Sequence, residues 1–274
     1  MIPPRPAQDK TAFADGKILL SIEGGVAVIR FNHPEKHNAM SVEMWEGLAF
    51  ALTTARDHPD TRVLILTGEG GKAFVSGADI SQFERNQSTP DARAEFAKRA
   101  GAYRSLLANF PKPTISCIQG YCIGGGLGLA LGTDIRIAAR NSQFGIPAAK
   151  LSIAYPFSGL QVLNSLVGPS WARMLLYSAM RIDAAEAERI GLITRMVDDA
   201  DLWAHTLDLA EHIASNAPLS VYAAKLTIDQ ILKDPAERDM DAIRAIAARC
   251  ANSEDAREGQ RAFMEKRVPQ FHGR

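Results

Sequence analysis

Two glycine-bearing turns are the parts of this chain whose residue types suit chemistry. The first is Ser76-Gly77-Ala78-Asp79-Ile80, directly after the apolar run Ala73-Phe74-Val75. The second runs from Gly120 through Tyr121, Cys122 and Ile123 to Gly124-Gly125-Gly126-Leu127-Gly128-Leu129-Ala130, following one apolar run and opening a helical pattern. Turns of this kind leave backbone N–H groups without strand partners, and small residues let a ligand atom approach them. At a helix start the free amides and the positive end of the helix dipole favour negative charge. The chemistry on offer is main-chain stabilisation of an anionic oxygen. Taken alone, each cluster also suits a tight turn or a close-packed helix. Nucleotide motifs do not account for them. GGGLGLALG has Leu129 where the third glycine of G-x-G-x-x-G would fall, and Gly71-Lys72 is followed by Ala73, which excludes a P-loop.

The other reactive side chains form no second pattern. His33, His37, His58, His205, His212 and His272 are scattered. His205 and His212 share a helix face, but no further metal ligands accompany them, so no metal is predicted. Cys117, Cys122 and Cys250 read as plain thiols.

The elements that must position the two turns follow from the pattern of apolar residues. ILLSIE and VAVIRF flank Gly24-Gly25, which predicts a hairpin because glycine supplies the positive φ of tight turns. Ser41 can cap a helix in which Met44, Leu48, Leu52 and Ala55 recur at helical spacing. Val63 to Leu66 reads as a buried parallel strand. A helix around Asp91 to Leu107, a strand TISCIQG and a strand from Ile135 to Ala138 continue the alternation, which argues for an α/β core. From about Ala200 four amphipathic segments follow: Leu202 to Ile213, Pro218 to Leu232, Glu237 to Cys250 and Ser253 to Arg267. The expected division is a core over residues 1–199 and a helical region over 200–274 that packs on the core or on a neighbouring subunit.

With 274 residues, 46% hydrophobic and 23% charged, the chain has the composition of an ordinary globular protein with a large core. Lys and Arg together number 31, as do Asp and Glu, so no summed positive field points to nucleic acid or an anionic membrane. An anionic ligand must be held locally. The first residues have no apolar core of signal-peptide length, and the longest apolar stretch, Ile115 to Leu131, is broken by Ser116, Gln119 and glycines. A cytoplasmic protein without a membrane or nucleic-acid partner is the expectation.

Taken together the motifs resemble the crotonase superfamily, the enoyl-CoA hydratase/isomerase family. The resemblance is carried by NHPEKHNAM from Asn32 to Met40, KAFVSGADI, ISCIQGYCIGGGLGLALGTDIRIAA, FGIP from Phe144 to Pro147, APLSVYAAK ending at Lys225, and the closing GQRAFMEKRVPQFHGR. It implies a crotonase-like (ClpP/crotonase) α/β fold, a ββα spiral core with C-terminal helices that assemble a homotrimer or homohexamer. It also implies an acyl-CoA substrate and no cofactor beyond the coenzyme A that the substrate carries. The thioester carbonyl then lies between the amides of Ala78 and Gly125, where an enolate would be stabilised. For coenzyme A the resemblance implies Lys36, Asn38 and Ala39 near the adenine, Ala78, Asp79, Ile80 and Ser81 along the pantetheine, and Phe263 and Lys266 from the C-terminus, often of an adjoining subunit. Lys225 lies in a motif commonly near the same ligand.

Two departures bear on the reaction. The family's hydratases use a glutamate two residues beyond the GGG triplet and another directly after the FGxP proline; here these are Gly128 and Ala148. Neither can hold water or move a proton, so hydration is not expected, nor isomerisation that uses the second glutamate as base. Decarboxylation, another lyase step, thioester hydrolysis and a CoA-ester binding protein without catalysis stay open. Among the polar residues left, Tyr155 borders the acyl pocket of relatives and suits either a pocket wall or a catalytic role. The family's methylmalonyl-CoA decarboxylases carry a tyrosine at the matching spot, placed to orient a carboxylate, but they have His where this chain has Ala78. Asp79 reads mainly as a loop cap. Ser152, Ser158 and Lys150 are weaker candidates.

Overall fold

The computed structural model describes residues 9–79 and 89–274. The chain begins with a meander, β1 (Asp9–Phe13), β2 (Ile18–Glu23) and β3 (Val26–Phe31), with Gly24 and Gly25 at φ 58° and 83° forming the tight turn that the glycine pair predicts. Helix α1 (Val42–Asp57) starts at Ser41, whose Oγ accepts the Met44 N–H at 3.2 Å. Then come β4 (Val63–Gly68), β5 (Ala73–Val75), α2 (Pro90–Ala108), β6 (Thr114–Ile118), β7 (Tyr121–Ile123) and α3 (Gly125–Leu131). After β8 (Ile135–Ala139) and β9 (Gln143–Gly145), helix α4 (Phe157–Ser178) leads through β10 (Arg181–Asp183), α5 (Ala184–Arg189) and β11 (Arg195–Val197) into the C-terminal helices. These are α6 (Leu202–Ser215), α7 (Pro218–Ile231), α8 (Met240–Ala251) and α9 (Glu254–Glu265), close to the four predicted segments.

The strands form two sheets, a seven-stranded one in the order β1-β2-β3-β4-β6-β8-β11 and a four-stranded one in the order β10-β9-β7-β5. In the large sheet alternate residues face opposite ways. Leu64, Leu66, Ala27 and Ile29 join the main core with Leu48 and Leu52 of α1, while Val63, Ile65, Val28, Ile115 and Ile137 face a second cluster completed by Leu202, Ala210 and Ala214 of α6. Both faces are covered, which is why the central strands read as unbroken apolar runs. Helix α6 is therefore the second cover of the sheet. After residue 200 the chain forms helices and no strand, and the first of them packs directly on the core.

Candidate active site

Strands β5 and β7 are neighbours and run parallel, so the turns that leave their C-terminal ends emerge side by side. The first turn is pinned by Met40. Its N–H donates to the Gly77 carbonyl at 2.8 Å and its carbonyl accepts the Asp79 N–H at 3.0 Å, forming a parallel bridge centred on Ala78. That pattern consumes the groups on either side of Ala78 and turns the Ala78 N–H away from Met40. The second turn enters α3 through Gly124 at φ 56°, ψ −114°, a conformation that favours glycine. Gly125 is the first residue of that helix, where an N–H has no intrahelical acceptor. A Cβ placed on Gly125 would lie 3.8 Å from the Ala78 nitrogen, an ordinary contact, so the two residues named from the sequence are close neighbours. On Gly126 a Cβ would collide with the Val75 carbonyl, which shows how closely α3 seats on β5.

A groove of about 580 Å³ opens beside Ala78, lined by Lys36, His37 and Ala39 on one side and Tyr121, Ile123 and Arg181 on the other. Lys36 and Ala39 line this groove, as does Asp79, whose carboxylate accepts from Lys36 Nζ at 2.9 Å. Asn38 requires a correction. It is fully buried at φ 56°, its Nδ2 donates to the carbonyls of Glu69 and Ala73, and its Oδ1 accepts the His33 N–H. Its side chain folds the loop that presents Ala39 and Met40 and has no polar atom left for a ligand. Ile80 and Ser81 lie outside the described residues. Phe263, 83% exposed near the end of α9, and Lys266 just beyond it do not line the groove. Lys225 is committed elsewhere, with Nζ donating to Asp134 Oδ2 at 2.8 Å and to the Lys112 carbonyl.

Arg181 and Tyr121 are site residues that the sequence reading missed. The Arg181 guanidinium lies 5.1 Å from the centre of the Tyr121 ring, whose other neighbour is the His37 ring, stacked at 6.0 Å. This places a cation and aromatic faces beside Lys36 in one groove, as a phosphorylated nucleotide would require. A lone arginine in a strand three residues long carries no sequence signal of that role.

A family model described as enoyl-CoA hydratase/isomerase matches residues 21–274. The chain is 37% identical over 254 residues to a crotonyl-CoA hydratase of Syntrophomonas wolfei, covering 93% of this chain and 97% of that one. The chain belongs to the enoyl-CoA hydratase/isomerase family. An (E)-benzylidenesuccinyl-CoA hydratase of Thauera aromatica is 33% identical over 258 residues, covering 93% of this chain and 99% of that one. The crystal structure of an enoyl-CoA hydratase from Bacillus anthracis superposes with a TM-score of 0.87 at 32% identity, covering 94% of this chain and all of that one. The crotonase fold is thereby established for this member of the enoyl-CoA hydratase/isomerase family.

Within this family member the space beside Gly128 is filled. A Cβ on Gly128 would lie 3.0 Å from the Tyr155 hydroxyl, and one on Gly159 would lie 2.7 Å from the Tyr155 ring. The tyrosine is thus slotted between two glycines, and its phenol stands one helical turn from the Gly125 amide. Burial pushes this phenol up to about 12, against the opposing influence of the Arg104 guanidinium, so it remains a neutral donor at ordinary pH. Ala148 sits half-buried in the turn after Pro147, its carbonyl accepting the Ile153 N–H. Cys122 is fully buried, and desolvation drives its thiol well above the ordinary range, which leaves it inert as a nucleophile.

Proposed function

We propose that this protein binds an acyl-CoA thioester with its carbonyl oxygen between the amides of Ala78 and Gly125 and stabilises the enolate formed there, without hydrating an enoyl double bond. The observation that carries this reading is the approach of Gly125 to the Ala78 nitrogen. Two main-chain donors fixed about 2.7–3.1 Å from an oxygen gain strength as charge gathers on it, and they need no reorganisation. Hydration additionally needs a group that deprotonates water. Gly128 has no side chain, the space over it belongs to a neutral phenol, and Ala148 offers only a methyl.

A reaction that forms an enolate without removing a proton first fits these residues. Loss of carbon dioxide meets that condition: the bond from Cα to a carboxylate breaks, its electron pair enters the thioester as the enolate, and Cα then takes a proton from solvent or from Tyr155. The coenzyme A portion lies along the groove of Lys36, Ala39, Tyr121 and Arg181, and the assembly is a homotrimer or dimer of trimers.

A panel assay tests this reading. Crotonyl-CoA hydration, followed by loss of the enoyl absorbance, is expected to be negligible, while a malonyl-type CoA ester releases carbon dioxide. Brisk hydration overturns the reading of Gly128 and Ala148. Binding of the esters without any turnover points instead to a CoA-ester binding protein.

A further inference from the structure

Two glycines that stand inside helices both face Tyr155. Gly128 lies within α3 and Gly159 in the first turn of α4; glycine is a poor helix former, so neither is there for the sake of its helix. A Cβ on Gly159 would fall 2.7 Å from the Tyr155 ring and one on Gly128 3.0 Å from its hydroxyl, so a side chain at the first position would displace the ring and one at the second would crowd it. The backbone fixes the tyrosine as well. Pro156, the N-cap residue of α4, follows it and holds residue 155 out of the helical conformation, and the turn over Pro147–Leu151 before it is closed by the Ile153 N–H on the Ala148 carbonyl. Tyr155 and Ala148 both pack against the main core. The ring is a wall held in place.

This wall stands where the acyl group must go. The groove of Lys36, Tyr121 and Arg181 reaches Ile123, on the strand side of Gly125, whereas Gly128 follows Gly125 along α3, its N–H donating to the Gly124 carbonyl at 3.0 Å. With the coenzyme A arm in the groove and the thioester at Gly125, the acyl carbons leave on the side of Gly128. There they meet the Tyr155 hydroxyl within one helical turn, about 5 Å along the axis, which is room for a few bonded carbons. Pro147, whose Cδ would lie 3.7 Å from a Cβ on Gly124, bounds the same space from the other loop. We propose that Tyr155 ends the acyl site, so that the protein takes acyl groups of butyryl size or less and keeps longer chains out of its interior. A malonyl-type ester is short enough for this space. Gly128 and Gly159 then serve substrate choice by seating the ring that sets the limit.

This inference rests on the acyl-CoA reading above, and the test separates the two. Dissociation constants of butyryl-, hexanoyl- and octanoyl-CoA are measured by titration calorimetry with the wild-type protein, Y155F, Y155V and Y155A, each checked for folding by circular dichroism. A methylene that finds an apolar seat adds about fourfold to affinity. The wild type is expected to gain nothing from butyryl to octanoyl, because the added carbons stay outside, and Y155F, which frees one atom's width, gains at most about fourfold. Y155V and Y155A, which remove the ring, gain about tenfold or more over the same series. Octanoyl-CoA binding tenfold or more tighter than butyryl-CoA in the wild type overturns the inference whether or not the variants fold. So does a flat series in whichever of Y155V and Y155A is folded. Butyryl-CoA binding alongside either of those results leaves the acyl-CoA reading standing; failure of all three esters to bind the wild type overturns that reading and this inference together.

Discussion

At the scale of single residues the site is built from side chains that are small or missing. Gly125 leaves open the approach to the Ala78 nitrogen, and any side chain there would project toward it. Gly125→Ala keeps the N–H but sets a methyl where the carbonyl oxygen would approach, and misplacing that oxygen is expected to lower kcat/KM on whichever ester is turned over by about a hundredfold, with little change in thermal unfolding. Tyr155 works in the opposite sense, as bulk occupying what two glycines leave open. Its phenol, ordinarily near 10 and raised by burial to about 12, keeps its proton in the folded state after the unfolded chain has lost it. The sign follows from linkage: where the folded form binds more protons, stability falls as pH rises, so this contribution is present below pH 10 and disappears through about 12. Denaturant melts across pH 9 to 12 should show that decline in the wild type and a shallower one in Tyr155→Phe.

At the scale of elements, the parallel pairing of β5 with β7 brings the turns together, while supports of the seven-stranded sheet lie partly at a distance in sequence. Helix α7 is tied to the core by Lys225, whose side chain is 11% exposed and whose ammonium joins Asp134 and the Lys112 carbonyl, while Asp134 also accepts from the Thr114 N–H and hydroxyl. The lysine thus links the helical region to the starts of β6 and β8. Lys225→Met leaves that carboxylate with one partner fewer and is expected to cost about 1–3 kcal/mol in chemical denaturation. If Lys225 instead served the ligand, the variant would change the dissociation constant for a CoA ester and leave stability alone.

At the scale of the whole molecule, the large sheet is covered by α1 on one face and α6 on the other, yet apolar side chains remain outside. Phe157 and Tyr177 at the two ends of α4 and Phe263, Met264 and Val268 at and beyond the end of α9 are each at least 75% exposed. Surfaces of this kind mark contacts with other chains when they are contiguous. The proposed trimer predicts sedimentation at about three times the 29.7 kDa of one chain. A species of single-chain mass at micromolar concentration would count against the assembly role given to the C-terminal helices.

Local patterns alone determined the Gly24-Gly25 hairpin, the Ser41 cap, the buried runs of β4, β6 and β8 and the four C-terminal helices, because each depends on residues adjacent in the chain. The same is true of the absence of carboxylates at positions 128 and 148. The run Ala73-Phe74-Val75 marked β5, but the short strands β7, β9 and β10 were not legible, since three-residue strands carry no periodicity, and neither was the approach of Arg181 to Tyr121, sixty residues away. Asn38 looked like a ligand contact until the fold buried its side chain and engaged both of its amide atoms with the backbone. Only the tertiary structure decided that Tyr155 fills the space over Gly128. The sequence specifies which groups exist and which local turns they form, whereas complementarity between a missing side chain and a distant ring depends on packing between elements that no local rule encodes.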